Sequence, residues 1–121
     1  MATRAVLAMR NEDNTYSGVY LHWGELKSVW DRLPVSVEEV RQLIAGGNIE
    51  RLLHHDAVRC TSSKDDPYDV AAYDSHVATA ATITELVDAV NMSHIEHVLL
   101  FEGGTWLVVR YLEDVRLESF E

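Results

Sequence analysis

Two adjacent glycines, Gly103 and Gly104, constrain this chain more than any other feature. They separate His97–Glu102, a run of His-Val-Leu-Leu-Phe-Glu, from Thr105–Tyr111, a run rich in β-branched and aromatic residues. A two-residue link between such runs needs positive φ at its centre, which glycine adopts without steric penalty. The spacing therefore predicts a tight β-hairpin. The next segment, 114–120, alternates Val115, Leu117 and Ser119 against Arg116, Glu118 and Phe120. It predicts an edge strand whose charges discourage aggregation.

The N-terminal region repeats the pattern less tightly. Arg4–Arg10 is a short apolar run, Asn11–Asn14 is a cluster of turn formers, and Tyr16–Trp23 is aromatic and β-branched. Two runs around a polar turn predict a second hairpin. On its second strand Val19, Leu21 and Trp23 share one face, and Tyr20 and His22 the other. Large side chains on both faces imply cover on at least part of each, and Trp23 and Trp106 are assigned to core packing.

Helical signals lie between the hairpins. Leu26, Val29, Trp30 and Leu33 have helical spacing over 25–33, ended by Pro34. Ser36-Val-Glu-Glu39 matches a capping box, with Glu39 reaching back to the Ser36 amide. Val37, Val40, Leu43 and Ile44 form one apolar stripe, stopped by Gly46-Gly47. Ile49, Leu52 and Leu53 predict a further short helical segment over 48–54. Thr82-Ile-Thr-Glu85 is a second capping box, opening a helix through Asn91 with Ile83, Leu86, Val87 and Val90 inward. Residues 57–81 are the least patterned; 57–61 reads as a short strand and 62–67 as a loop. The order is ββ–α(α)–loop–α–ββ(β). It predicts a single α+β domain over 1–121, with a mostly antiparallel sheet of four to five strands packed with two to four helices.

Charge is distributed unevenly. Of a net −10 at pH 7, residues 1–60 carry seven Lys/Arg against eight Asp/Glu, and residues 61–121 carry three against twelve. An acidic field repels phosphates and anionic head groups, so direct nucleic-acid and membrane binding are disfavoured and a basic protein surface is a suitable partner. No apolar run approaches the roughly 20 residues that span a bilayer. The single cysteine, Cys60, and the lack of a secretory signal predict a reducing, cytoplasmic setting. A homodimer is compatible with the sequence.

The residues that could carry chemistry do not form a catalytic signature. His54-His55-Asp56 and His94-Ile-Glu-His97 lack a zinc-site spacing, and there is no cysteine cluster, so no metal or other cofactor is expected. His94 and His97 are read as partly exposed polar residues. His22, flanked by Leu21 and Trp23, with Glu25 and Asp31 following, could bind a ligand; a hydrogen-bonded structural role competes with that reading. Asp65, Asp66, Tyr68, Asp69, Tyr73 and Asp74 interleave carboxylates with aromatic rings. Such a surface suits a basic partner, because tyrosine supplies contact area at low entropic penalty. The bland alternative is a solvated acidic loop.

Three segments carry a family resemblance. Ala5–Trp23, with its Asn/Asp-rich turn and Gly-Val-Tyr-Leu-His-Trp, resembles the N-terminus of small bacteriophage and prophage proteins of unknown function. Val40–Ile49 resembles that family's helix ending in a Gly-containing turn. Phe101-Glu-Gly-Gly-Thr-Trp106 resembles its late hairpin. The family commonly continues with Asp-Gly-Tyr-Pro where this chain has Gly24-Glu25-Leu26-Lys27. The resemblance implies a phage context and no particular activity. The leading expectation is thus a non-enzymatic phage accessory protein in the host cytoplasm. It would bind and inhibit a host protein through its acidic surface, for instance a defence complex such as CRISPR. The alternatives are a small-molecule or nucleotide-sequestering protein using His22 and Trp23, and a metal-assisted enzyme using the histidines.

Overall fold

The computed structural model describes residues 3–54, 56–59, 77–90, 94–111 and 115–119, the side chains of 110, 111 and 115–119 excepted. Strands β1 (Ala5–Arg10) and β2 (Tyr16–Leu21) form the N-terminal antiparallel hairpin. Helix α1 (Leu26–Val29) runs into a 3-10 turn (Trp30–Arg32), and α2 (Val37–Ala45) follows. Then come β3 (Ile49–Leu53), β4 (Asp56–Arg59), β5 (Ala78–Ala80) and α3 (Ile83–Val90). The chain continues with β6 (His97–Glu102), β7 (Thr105–Tyr111) and β8 (Val115–Ser119).

One sheet gathers all these strands in the order β4-β3-β2-β1-β6-β7-β8, with β5 added against β2. The α+β class holds and both hairpins form, but the sheet is larger than the expected four to five strands. It is also mixed, because β1 pairs in parallel with β6, and β2 in parallel with β3. The sequence order suggests two separate hairpins; the fold joins them through their first strands, Ala5 opposite His97 and Met9 opposite Phe101.

Helices cover both faces. Leu7, Val19, Leu21 and Leu99 pack with Val29, Val40 and Ile44 on one side. Val6, Ala8, Tyr20 and Leu100 pack with Leu86, Val87 and Val90 on the other. The alternation of β1 thus feeds two cores, and each fully buried Leu or Val contributes roughly 1.5–3 kcal/mol over leaving it exposed.

The end signals act locally as expected, with one variation. Ser36 Oγ accepts from the Glu39 amide at 3.2 Å, but Glu39 Oε1 takes the Ser36 hydroxyl at 3.0 Å rather than its amide. Thr82 Oγ1 caps α3 through the Glu85 amide at 3.1 Å. Gly103 and Gly104 have φ of 61° and 80°, the pair a primed hairpin turn requires.

The predicted helix over 48–54 is instead strand β3. Its helix-like spacing has a physical origin: a bulge shifts the β3–β4 register between Ile49 and Arg51. A bulge inserts one extra residue, so positions three apart fall on the same face. Ile49 and Leu52 are accordingly both buried in the same core, while Leu53 is exposed. No helix among the described residues is long and apolar enough to cross a membrane.

Candidate functional site

The acidic and aromatic positions Asp65, Asp66, Tyr68, Asp69, Tyr73 and Asp74 lie outside the described residues, in the sequence between β4 and β5. Cys60 lies there too.

The second expected site, His22 and Trp23, is at the C-terminal end of β2. The ladder to β3 continues past the strand, since the His22 and Trp23 amides donate to the carbonyls of Ile49 and Glu50 at 2.9 Å each. Tyr20 and His22 share a face, and the Tyr20 hydroxyl meets His22 Nδ1 at 2.6 Å. Either atom can be the donor there, the phenol toward a bare Nδ1 or an Nδ1–H toward the phenol oxygen, according to the imidazole tautomer. The His22 and Trp23 rings stand edge to face with centroids 5.1 Å apart. Trp23 is 45% exposed, so its assignment to the core is corrected. It lies beyond the last residue of β2, Leu21. Trp106 is buried as expected, and its indole N–H donates to the Pro34 carbonyl at 2.6 Å.

His97 is a second correction. It is buried at the start of β6, and its Nε2 donates to the Gly24 carbonyl at 2.8 Å. Gly24 in turn donates to the Thr3 carbonyl at 2.8 Å, so the bend after β2 is tied both to the start of β6 and to the segment leading into β1. His94, three residues earlier, is exposed with φ of 62°. The two rings do not converge, and no group of three His, Cys, Asp or Glu side chains among the described residues could hold a metal.

A groove of about 430 Å³ opens elsewhere, between the 3-10 turn and α2 on one side and β3–β4 on the other. That volume falls within the roughly 300–1,000 Å³ of typical ligand clefts. Leu33, Leu43, Leu52 and Ala57 give it apolar surface; Asp31, Glu39 and Asp56 supply carboxylates. Arg32, His54 and Arg59 also line it.

Side chain to backbone bonds hold the groove in shape. Arg32 Nη1 donates to the Leu52 carbonyl at 2.9 Å, tying the 3-10 turn to β3. Arg59 Nη1 donates to the carbonyls of Leu43 at 2.7 Å and Gly47 at 3.0 Å, so β4 caps the C-terminal end of α2. A cation suits that negative end of the helix dipole. Burial pulls the Arg59 guanidinium below its ordinary pKa, and the nearby Asp56 carboxylate opposes that shift. Trp106 fixes Pro34 at the rim through the bond described above.

Asp31 and Asp56 differ from these arginines. Asp31 makes no hydrogen bond or ion pair among the described residues, with His22 or otherwise, and Asp56 Oδ1 accepts only from the Ala57 amide at 2.8 Å. No spacing in the sequence marks this groove, because its walls come from three separate segments.

Comparison with known protein families, with curated proteins and with solved structures finds no match for this chain.

Proposed function

We propose that this protein is a non-enzymatic binding protein that engages a basic surface of a partner protein. The observation that carries the reading is the charge asymmetry: residues 61–121 hold twelve of the 20 Asp and Glu against three of the ten Lys and Arg. Such a field raises the encounter rate with basic surfaces and fades with salt. The resemblance to phage and prophage proteins supports reading that partner as a host protein in the host cytoplasm. Complexes that handle nucleic acid carry basic grooves, and an acidic domain lying in one competes with phosphate. Inhibition of a host defence complex follows from that chemistry.

The test compares the protein with a variant in which Asp65, Asp66, Asp69 and Asp74 are changed to Asn. Both are immobilised and exposed to bacterial lysate at low and moderate salt. The wild type is expected to retain a basic protein that the variant releases and that salt displaces. Identical retention by the two proteins would remove the acidic segment from the reading.

A second reading is supported by Trp23, whose 45% exposed indole stands beside His22. A flat exposed ring next to a hydrogen-bonding imidazole suits a small aromatic ligand such as a nucleobase. A rise in melting temperature with nucleotides, lost in Trp23→Ala, is the expected sign of it.

A further inference from the structure

We infer that Tyr20, His22 and Trp23 form a redox relay: a one-electron oxidant acts on the exposed indole, and the oxidising equivalent comes to rest on the buried phenol. The inference is independent of the binding readings above. Three features at the end of β2 carry it. Tyr20 is fully buried, yet its hydroxyl meets His22 Nδ1 at 2.6 Å. The Tyr20 and His22 rings stand edge to face with centroids 5.8 Å apart, and His22 and Trp23 do the same at 5.1 Å. Trp23 is exposed, so an oxidant in solution reaches the outer end of this row of rings while Tyr20 lies at its inner end.

The chemistry follows from where the phenolic proton can go. A phenol is a far weaker acid than an imidazolium, so at rest the proton stays on oxygen. Removing an electron reverses that order, because a phenol radical cation is a strong acid. Left in place, the new positive charge would be buried without compensation at Tyr20. Transfer of the proton to Nδ1 avoids this: the phenol becomes a neutral radical, and the charge moves to His22, which is only partly covered. The relay uses the tautomer with a bare Nδ1 and the phenol as donor.

The step balances as follows. The oxidant takes one electron from the Trp23 indole, and Trp23 regains one from Tyr20. The Tyr20 O–H bond breaks as an N–H bond forms at His22 Nδ1. The products are the reduced oxidant, an unchanged Trp23, a Tyr20 phenoxyl radical and a His22 imidazolium. An external one-electron donor such as a thiol reverses the last state, and the proton returns to oxygen. A second ring pair lacks the base this needs. Phe101 and Trp106 have centroids 5.1 Å apart, but the Trp106 indole donates to the Pro34 carbonyl, and an amide oxygen does not take up a proton at neutral pH.

The experiment oxidises the full chain with photogenerated ruthenium(III) tris-bipyridine. Transient absorption and electron paramagnetic resonance of frozen samples distinguish tryptophanyl from neutral tyrosyl radicals. A tryptophanyl signal is expected first, decaying as a tyrosyl signal rises, with the rise slower in heavy water. Tyr20→Phe should remove most of the tyrosyl signal and prolong the tryptophanyl one. His22→Asn keeps a polar partner for the phenol but no base, and should slow the rise on the order of a hundredfold. Trp23→Phe, at an exposed ring, should lower the tyrosyl yield several-fold. The isotope effect is read on the unaltered protein, so it stands even where a variant folds poorly.

Three results overturn the inference. A tyrosyl signal unchanged in Tyr20→Phe would place the radical on another tyrosine. A tryptophanyl signal that persists with no tyrosyl rise would mean that Nδ1 carries a proton and Tyr20 only accepts from it. A rise indifferent to heavy water and to His22→Asn would show that His22 takes no proton and only packs beside the phenol.

Discussion

The backbone amide of Tyr20 donates to the side-chain carbonyl of Asn48 at 3.0 Å, and both residues are buried. This bond sits where β2 changes partners. The first half of β2 pairs with β5, Gly18 opposite Ala78; its end pairs with β3, Leu21 opposite Ile49. Between them no described residue of β3 or β5 stands opposite Tyr20 on that side, and the Asn48 side chain takes its amide. Asn48→Ala leaves that buried N–H unpaired and is expected to destabilise the fold by about 1–3 kcal/mol. Denaturant unfolding followed by tryptophan fluorescence measures it; a loss under about 0.5 kcal/mol would mean water replaces the side chain.

Arg59 and Gly46 form a coupled pair. A Cβ on Gly46 would lie 2.4 Å from the Arg59 guanidinium carbon. Gly46→Ala must therefore displace the guanidinium from the Leu43 and Gly47 carbonyls. Arg59→Met removes the same bonds directly. Each is expected to lower stability by about 1–2 kcal/mol, and the double variant by little more than either alone. Full additivity in the double-mutant cycle would show that the Gly46→Ala methyl leaves Arg59 in place.

The 103–104 turn tests backbone conformation alone. A side chain at Gly104 would meet nothing within 4 Å, so only its φ of 80° resists substitution. Gly104→Ala is expected to lower stability by about 1–2 kcal/mol, and Gly104→Asn by less, because Asn tolerates the left-handed region. Thermal unfolding of the two variants should rank them in that order.

Asp13 provides a pH signature in the first turn. The Thr15 hydroxyl and amide donate to its Oδ1 at 2.6 Å and 3.1 Å, and they hold its carboxyl below the usual Asp value. A carboxyl lowered on folding stabilises the turn above its unfolded pKa, and the effect disappears as pH falls through the folded one. An NMR titration should find Asp13 below an unfolded reference, and Thr15→Val should move it back up. An unchanged titration in the variant would remove Thr15 as the cause.

What the sequence made legible was local chemistry. Ser36, Thr82 and the Gly103-Gly104 pair each act over four residues or fewer, and each works where its motif stands. The failures were non-local. The 48–54 segment imitates a helix because a bulge re-phases Ile49 and Leu52, and the bulge depends on β4. Trp23 resembles a core residue by strand alternation, yet the strand ends at Leu21. The site divides the same way. His22 and Trp23 announce themselves as neighbours in sequence, whereas Asp31, Leu43 and Asp56 meet only through packing. Arg59 offered no signal at all, since its role depends on where α2 happens to end.

The parallel pairing of β1 with β6 has a consequence for how the chain is made. During synthesis β1 is made well before its partner β6, since Ala5 pairs with His97 and Met9 with Phe101. Until then one long flank of an apolar strand, Val6 and Leu7 included, has no neighbour to close it. Pairings so distant in sequence form slowly and leave aggregation-prone edges waiting. The nascent protein must therefore keep this strand out of trouble until β6 has been made.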